Sequence, residues 1–418
     1  MRGATELHVD AERMREDFDA LAAIGATPAG GVHRPSLGEA HLAARAWFLD
    51  RAAAAGLETR VDRAGNHSAI LPGAGPTLLL GSHLDSVPNG GRYDGALGVV
   101  AALHVLLAVQ GSEVELPLAL EAIDFTDEEG TLVGLLGSEA LTGKLTLESL
   151  RSPRGGREAL LAGLERAGLS EEGLISARRD PASLAGYLEL HIEQGPLLER
   201  AGAQIGLVTG IVGARSFSLV FRGLAGHAGT TPMNARRDAG LAAAAFAVAA
   251  NALVVRDFPG CVATVGDLRL EPGAFNVVPG SARVAIECRS LDPEELDALE
   301  SALLQEAGAA AATHALGVEA TPVGRWESTP LDAGVRAAVG RAAVGLGLST
   351  VELPSGAGHD AQALAAVVPS GMIFVPSAGG VSHDPREYTS WGDCINGANT
   401  LLRAALELAG SYAVSDLC

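Results

Sequence analysis

Short apolar runs along the chain alternate with stretches of helical periodicity. Runs at Thr77–Leu80, Leu116–Phe125 and Tyr187–Ile192 have the length of buried strands, and a helical stretch at Ala96–Gln110 separates the first two. Buried strands wound with helices are typical of an α/β sheet. The pattern predicts an α/β domain with a central mixed sheet. An earlier helix at residues 41–55 is expected to start from a capping box at residues 36–39.

The middle of the chain has a different order of elements. From about residue 210 we expect a strand, a long Ala-rich helix (Ala235–Val254), two strands, a helix and a strand, which is the order of a ferredoxin-like (α+β) lobe. Asp292 and Pro293 mark the start of its second helix, with Glu295 as the capping-box partner. The first pattern then resumes. We therefore predict a discontinuous domain at residues 1–209 and 328–418 with an inserted lobe at 210–327, and a surface excursion with one or two short helices at Arg151–Pro181.

Composition narrows the classes of function. The 418 residues include 48% hydrophobic ones and carry a net charge of −20, which opposes binding to nucleic acid or to an anionic membrane surface. No apolar run reaches the roughly 20 residues of a membrane span. Four cysteines without CxxC pairing favour reduced thiols. We expect a cytoplasmic protein with no nucleic-acid or membrane partner.

Polar residues of metal-binding type follow the predicted strands. His83, Asp85 and Asp94 lie in a Gly-rich segment directly after the first strand, where ligands of open α/β sheets gather. Neutral imidazole and carboxylate suit Zn²⁺, Mn²⁺ or Co²⁺. Taken alone, the segment is equally compatible with a solvated loop.

Later strands repeat this arrangement. Thr126-Asp-Glu-Glu-Gly130 follows the second strand, and such an acidic run is by itself more typical of a solvated turn. Alternation in the third strand places His191 on the face opposite Leu190, and His383 follows a further apolar run, Val367–Val375. Strands in succession thus deliver histidine or carboxylate to one edge, as a two-metal site requires.

Seven motifs between residues 81 and 389 carry a family resemblance. In this order they resemble the M20 metallopeptidase clan, and within it the branch of N-carbamoyl-L-amino-acid hydrolases, allantoate amidohydrolases and β-ureidopropionases. The resemblance implies that the inserted lobe is a lid and dimerisation domain, so we expect a homodimer formed through it. The motifs are GSHLDSVPNGGRYDG, TDEEG, LELHIEQGPLLE, GHAGTTPMNARRDA, FNVVPG, GAGHDA and GVSHDPREYT.

The resemblance also implies a site with two divalent metal ions, Zn²⁺, Mn²⁺, Co²⁺ or Ni²⁺. Asp94 is expected to bridge the ions, Glu128 to act as general base, and Asp85 to hold the His83 imidazole. Two cations about 3.5–4 Å apart lower the pKa of a shared water and polarise a scissile carbonyl. The implied metal ligands are His83, Asp94, Glu129, His191 and His383.

Four further residues are implied at the substrate. His227 and Asn276 are expected to stabilise the oxyanion, Arg289 to bind a substrate carboxylate, and Gln194 to recognise a ureido group. A loop histidine and an exposed strand-end arginine are the structural alternatives for His227 and Arg289. The motif with His359 and Asp360 is compatible with a pocket role or a structural turn.

The predicted activity is hydrolysis of the ureido C–N bond of an N-carbamoyl-L-amino acid or related ureido acid, releasing amino acid, CO₂ and ammonia. An allantoate amidohydrolase, an aminoacylase or a dipeptidase is the alternative among enzymes. A metal-binding protein without turnover is the alternative from another class, and the intact Glu128 argues against it.

Overall fold

The computed structural model describes residues 7–415 as two compact units. The first unit comprises the chain up to Thr209 together with the chain from Leu331, and the second unit is Gly210–Pro330. Cys418, one of the four cysteines, lies outside the described residues.

Helices and strands of the described chain are as follows. The helices are α1 (Ala11–Ala23), α2 (Glu39–Ala54), α3 (Ala96–Gln110), α4 (Leu136–Thr142), α5 (Leu147–Arg151), α6 (Arg157–Ala167), α7 (Glu171–Ile175), α8 (Leu197–Ala201), α9 (Ala239–Asp257), α10 (Pro293–Thr313), α11 (Ala333–Gly345), α12 (Asp360–Leu364) and α13 (Trp391–Ser415). The strands are β1 (Glu58–Val61), β2 (His67–Leu71), β3 (Gly75–His83), β4 (Leu118–Phe125), β5 (Leu184–Ile192), β6 (Ile205–Ile211), β7 (Gly213–Arg222), β8 (Gly226–His227), β9 (Val262–Glu271), β10 (Val277–Val278), β11 (Ser281–Ser290), β12 (Gly317–Trp326), β13 (Thr329–Pro330), β14 (Thr350–Ser355) and β15 (Ser370–Val375).

A mixed sheet forms the centre of the first unit, in the order β1-β2-β4-β3-β5-β15-β6. Strands β4, β3, β5 and β15 are parallel to their neighbours within this group, whereas β1, β2 and β6 pair antiparallel. The carboxyl ends of the four parallel strands therefore meet at one edge. That edge receives the residues that follow each strand.

Both faces of the sheet are covered, and they differ in chemistry. Leu188, Leu190 and Ile192 of β5 join the large apolar core that also contains α3 and α13. The intervening Glu189 and His191 are equally buried on the other face, near α12. A polar face that is closed to solvent is where hydrogen bonds or bound ions must balance the charges.

The second unit has the ferredoxin-like arrangement. Its four-stranded antiparallel sheet has the order β12-β7-β11-β9, and α9 and α10 pack against it. Asp292 caps α10 through the N–H groups of Glu294 and Glu295, as its sequence predicts. The predicted fold class, an α/β domain with a mixed sheet and an inserted (α+β) lobe, is confirmed.

Helix α9 is strongly apolar and differs from its predicted bounds. Eighteen of its 19 residues have a mean hydropathy of 1.7, so by length and composition it could cross a membrane, and it is the only such helix within residues 7–415. Ala242, Phe246 and Ala250 are nevertheless buried in the core of the second unit. The helix starts four residues later than expected, because Asp238 caps it.

One local prediction is wrong, and a second is confirmed only for its short helices. The capping box before α2 does not form: the N-cap is Gly38 without a side-chain bond, and the Leu37 N–H donates to His41 Nδ1 instead (2.9 Å). The segment Arg151–Pro181 is more than a surface excursion, because α6 and α7 bury leucines in a second small core of the first unit.

Candidate metal centre

All five predicted ligands lie in the first unit and gather at the carboxyl edge of its sheet. His83 ends β3, His191 precedes the end of β5, and Glu129 lies in the turn after β4. Asp94 lies just before α3, and His383 follows β15. The strand order thus brings together residues that are up to 300 positions apart in the chain.

Asp94 is at the centre of the group. Its Oδ1 lies 3.1 Å from His191 Nε2 and 3.5 Å from His83 Nε2. Its other oxygen, Oδ2, lies 3.4 Å from His383 Nε2, which is in turn 3.3 Å from Glu129 Oε2. The two oxygens of one carboxylate therefore face two different sets of ligand atoms, and the atoms of each set lie within 4.8 Å of one another. This geometry is compatible with a carboxylate that bridges two cations.

The donor set fits divalent metal ions. His83 Nε2 is buried and has no hydrogen-bond partner, although buried nitrogens are nearly always bonded. Imidazole nitrogen with carboxylate oxygen suits Zn²⁺, Mn²⁺, Co²⁺ or Ni²⁺. His83, Asp94 and His191 would hold one ion, and Asp94, Glu129 and His383 the other.

Backbone carbonyls orient two of the imidazoles. His83 Nδ1 bonds to Asp85 O at 3.0 Å and His191 Nδ1 to Ile192 O at 2.8 Å. Each Nδ1 must then carry the proton, because a carbonyl can only accept. The Gly95 N–H donates to His191 Nε2 (3.2 Å), so that nitrogen presents a lone pair. In the neutral form, both rings would therefore present Nε2 to a metal ion.

Asp85 makes a different contact from the one expected. Its carboxylate lies 3.8 Å from His83 Nδ1, beyond hydrogen-bond distance. The two carboxylate oxygens instead accept the backbone N–H groups of Glu128 and Glu129, both at 3.3 Å. Asp85 therefore orients the His83 ring with its carbonyl and the acidic pair with its side chain.

The electrostatics of the cluster favour added positive charge. Burial raises the pKa of Glu129 to about 7, and Asp94 adds to the rise. Burial also raises the pKa of Glu128 well above its usual value; His83 opposes this rise and Asp360 adds to it. The pKa of His83 is raised in spite of burial, because Glu128 and Asp94 stabilise the imidazolium. In the absence of cations the site thus compensates its negative charge with protons.

Gln194 lies beside the bridging carboxylate. Its Nε2 donates to Asp94 Oδ2 at 2.8 Å and to Ser382 Oγ at 3.2 Å, and its φ of 59° is unusual for a residue with a side chain. Because an ionised carboxylate only accepts, the amide must present its NH₂ to Asp94. Its Oε1 is buried and has no hydrogen-bond partner.

Several neighbours of the ligands were not assigned a role from the sequence. Glu387 accepts the N–H groups of Tyr93 and Asp94. Glu189 accepts Ser82 Oγ–H and the Ala361 N–H, and so ties β5 to the start of α12. Both residues stand within motifs of the family resemblance, but nothing in the sequence indicated their partners, because each accepts from backbone that is distant along the chain.

The unassigned motif is packed directly against a ligand. His359 is buried, with its ring edge-on to His191 at a centroid distance of 4.5 Å, and its Nε2 bonds to Ser355 Oγ. Asp360 is also buried, and its carboxylate contributes to the raised pKa of Glu128. The motif therefore lies beside the candidate metal centre.

The remaining predicted substrate residues belong to the second unit. His227 on β8 and Asn276, next to β10, are exposed neighbours on a short antiparallel ribbon, where the Ala228 N–H donates to Asn276 O (2.9 Å). Arg289 on β11 is half-buried and forms an ion pair with Glu287.

Comparison with known proteins assigns the family. The model of peptidase family M20/M25/M40 matches residues 79–407. The chain belongs to this family. It is 37% identical over 408 residues to an N-carbamoyl-L-amino acid amidohydrolase of Geobacillus stearothermophilus, covering 96% of this chain and 99% of that protein. It is 34% identical to an allantoate amidohydrolase of Bacillus subtilis, over 88% of this chain and 91% of that protein.

Solved structures agree with this assignment. An amidase of the hydantoinase/carbamoylase family from Burkholderia phymatum superposes with a TM-score of 0.88 at 37% identity, over 97% of this chain and 99% of that one. Within the M20 family the chain thus belongs to the branch that the sequence motifs indicated, and it is a metal-dependent hydrolase of C–N bonds.

Proposed function

We propose that the protein hydrolyses the ureido C–N bond of N-carbamoyl-L-amino acids or related ureido acids to amino acid, CO₂ and ammonia, using two divalent metal ions. The observation that carries the proposal is the geometry of Asp94, whose two oxygens face separate sets of ligands. When bound, two cations supply a water of lowered pKa and polarise the carbonyl that is attacked.

Glu128 is the proposed general base. Its Oε2 lies 3.5 Å from His83 Nε2, at the edge of the ligand group, and its side chain is 8% exposed. The carboxylate would take a proton from the attacking water and deliver it to the leaving nitrogen. The hydrogen bond from the Glu128 N–H to Asp85 holds this segment in place.

Gln194 supports a ureido substrate. Its amide orientation is set by Asp94, so the buried Oε1 is available as an acceptor. A ureido group ends in an NH₂ that can donate to this oxygen, whereas the methyl of an N-acetyl group cannot. Leaving such a buried acceptor without a partner costs about 1–3 kcal/mol, which favours the ureido substrate.

Relatives named for other substrates define the second candidate. Besides the carbamoylase and allantoate relatives, a ureidoglycolate hydrolase of Arabidopsis thaliana is 34% identical over 95% of this chain and 86% of that protein. All three names denote ureido compounds or their derivatives. Allantoate is therefore the alternative substrate, and Gln194 Oε1 would accept from either ureido group.

The second unit supplies the proposed lid. His227 and Asn276 are exposed neighbours on one ribbon, which supports a joint role in stabilising the oxyanion. Arg289 is the proposed partner of the substrate carboxylate. It would give up its ion pair with Glu287 to form this contact.

We also propose a homodimer formed through the second unit. Leu241, Val248 and Val255 of α9 are 48%, 73% and 74% exposed and recur every seven residues, so they lie on one side of the helix. The neighbouring β9 is an edge strand, with Val262 60% exposed. An apolar stripe beside an open strand edge is typical of an interface.

A cytoplasmic location is further proposed, supported by the free thiols of Cys261, Cys288 and Cys394.

A substrate panel tests the proposed activity. Ammonia release is measured from N-carbamoyl-L- and D-amino acids and from allantoate, and amino-acid release from N-acetyl amino acids and a dipeptide, each with Zn²⁺, Mn²⁺, Co²⁺ or Ni²⁺. The expected result is turnover of N-carbamoyl-L-amino acids above all others. Higher turnover of allantoate selects the second candidate, and exclusive cleavage of acyl or peptide bonds contradicts both.

The Glu128→Gln variant separates an enzyme from a metal-binding protein without turnover. We expect kcat to fall by about 10²–10⁴-fold while the metal content stays that of the wild type. Unchanged kcat in the variant contradicts the assignment of Glu128 as the base, and two bound ions without turnover of any panel substrate contradict the enzyme.

A further inference from the structure

Hydrogen bonds around Asp94 form a closed ring that includes a residue outside the predicted ligand set. Glu387 is 4% exposed, and its Oε1 accepts the backbone N–H groups of Tyr93 (2.9 Å) and Asp94 (3.0 Å). Its Oε2 accepts Ser382 Oγ–H at 2.9 Å. Gln194 Nε2 donates to Ser382 Oγ and to Asp94 Oδ2, where the ring closes.

The donors and acceptors of this ring match. Ser382 has one hydroxyl proton and lies within reach of both Glu387 Oε2 (2.9 Å) and Asp94 Oδ2 (3.2 Å). With the proton on the shorter contact, the two amide protons of Gln194 serve Ser382 Oγ and Asp94 Oδ2. Three protons then satisfy three acceptors, so every acceptor of the ring has a donor.

Glu387 also joins two distant segments. Residues 93 and 94 lead into α3, whereas Ser382 immediately precedes His383, which has a left-handed φ of 57°. Such a backbone conformation persists only where its surroundings hold it. The Glu387 carboxylate packs closely against the segment that precedes α3. A Cβ at Gly91 would lie 2.0 Å from its Oε1, so only glycine fits at that position.

We propose that Glu387 is a positioning residue for the metal centre, holding the segment of Asp94 and the segment of His383 in register. The inference rests on the dinuclear site proposed above. The ion of Asp94, Glu129 and His383 depends on both segments that Glu387 joins. The ion of His83 and His191 depends on strands β3 and β5, and shares only Asp94 with the ring.

Loss of Glu387 should therefore weaken one ion more than the other. Removing a hydrogen-bond partner of a metal ligand typically costs 10–100-fold in metal affinity. We expect the Glu387→Ala variant to bind one ion about 10–100-fold more weakly and the other nearly as the wild type does. Glu387→Gln retains an oxygen for the two N–H groups and an NH₂ that can donate to Ser382 Oγ, so it should restore most of the lost affinity.

The test is a titration of the metal-free protein with Zn²⁺ in competition with a chromophoric chelator, and it uses no substrate. Glu193→Ala is the matched control. Glu193 is also a buried carboxylate at the end of β5, but it accepts the N–H groups of Leu197 and Leu198 at the start of α8. Its loss should lower thermal stability and leave both zinc affinities unchanged. The visible spectrum of the Co²⁺-loaded proteins should change for Glu387→Ala only.

Three results would overturn the inference. The first is a Glu387→Ala protein that binds both ions as tightly as the wild type. The second is an equal loss of zinc affinity in Glu193→Ala, and the third is no rescue in Glu387→Gln; either of these would indicate a general structural role. A wild type that binds fewer than two ions instead contradicts the dinuclear site itself, and a wild type that binds two ions without hydrolysing ureido substrates contradicts only the proposed activity.

Discussion

Replacement of Arg45 by methionine tests how a buried ion pair stabilises the backbone next to the metal ligand His83. Arg45 Nε donates to Asp124 Oδ2 at 2.7 Å, and the two side chains are 1% and 0% exposed. Asp124 Oδ1 accepts the N–H of Leu84, the residue between His83 and Asp85. The ion pair therefore supports the backbone that carries the first ligand.

The magnitude follows from burial. Arg45→Met leaves Asp124 with the Leu84 N–H but without its cation, and removing one partner of a buried pair costs about 3–5 kcal/mol of unfolding free energy. The ion pair of Arg222 with Glu319 has the same 2.7 Å separation, but its side chains are 60% and 64% exposed. Arg222→Met is the matched control and should cost much less than Arg45→Met, because water screens the exposed pair.

The loss should depend on pH in a defined direction. Burial raises the pKa of Asp124 in the folded protein above its value of 3.8, and Arg45 opposes this rise. A carboxyl group with a raised folded-state pKa favours folding at low pH and loses that contribution as the pH rises through the folded pKa. Without Arg45 the pKa should rise further. The destabilisation by Arg45→Met is thus expected to be larger in alkaline than in acidic buffer.

Equilibrium urea unfolding of the metal-free proteins measures both effects, with near-ultraviolet circular dichroism as the signal. Arg45→Met, Arg222→Met and wild type are compared in mildly acidic and mildly alkaline buffer. The reasoning is refuted if Arg45→Met loses no more stability than Arg222→Met, or if its loss is the same in both buffers.

Three further outcomes are expected. Chelation should abolish turnover and added Zn²⁺ or Mn²⁺ restore it, while His83→Ala should bind one ion fewer by atomic absorption; activity that survives chelation contradicts the metal mechanism. Gln194→Leu should lower the ratio of kcat/KM for an N-carbamoyl over an N-acetyl amino acid by about 10–100-fold, since an acceptor for the ureido NH₂ is lost, and an unchanged ratio would count against ureido recognition by Gln194. The proposed dimer should become a monomer in sedimentation analysis with Val248→Asp, but not with Val344→Asp, a 69% exposed position on α11 in the first unit; a dimer retained by Val248→Asp excludes this face as the interface.

The grouping of residues at strand ends was predictable, because it depends only on which strands are parallel neighbours in the sheet. His83, His191 and His383 follow or end parallel strands, and such strands place their carboxyl ends at one edge whatever their separation in the chain. The predicted bounds of α3 match the structure because its apolar sequence is bracketed by Gly95 and Gly111.

Contacts that depend on loop geometry were not predictable. The carboxylate of Asp85 turns to the Glu128 and Glu129 N–H groups rather than to His83, a choice that depends on how two turns approach each other. Glu387 acts on the Asp94 N–H, 293 positions earlier in the chain. The start of α2 was missed because the Leu37 N–H donates to the His41 side chain instead of forming the expected capping box. A histidine four residues after the donor is not part of any capping signature.

The two points at which the first unit is interrupted lie next to each other, and this has a consequence for the redesign of the protein. The Leu331 N–H donates to Thr209 O at 3.1 Å, so the host chain leaves and returns at adjacent points. Gly210 and Ile211 likewise pair with Pro330 and Thr329 at the base of the second unit. Since both breaks are already closed, a short linker could replace residues 210–330 at little entropic cost, and the same junction could accept an unrelated module. Modular exchange at this junction would let one hydrolytic scaffold acquire new inserted domains without rebuilding its sheet.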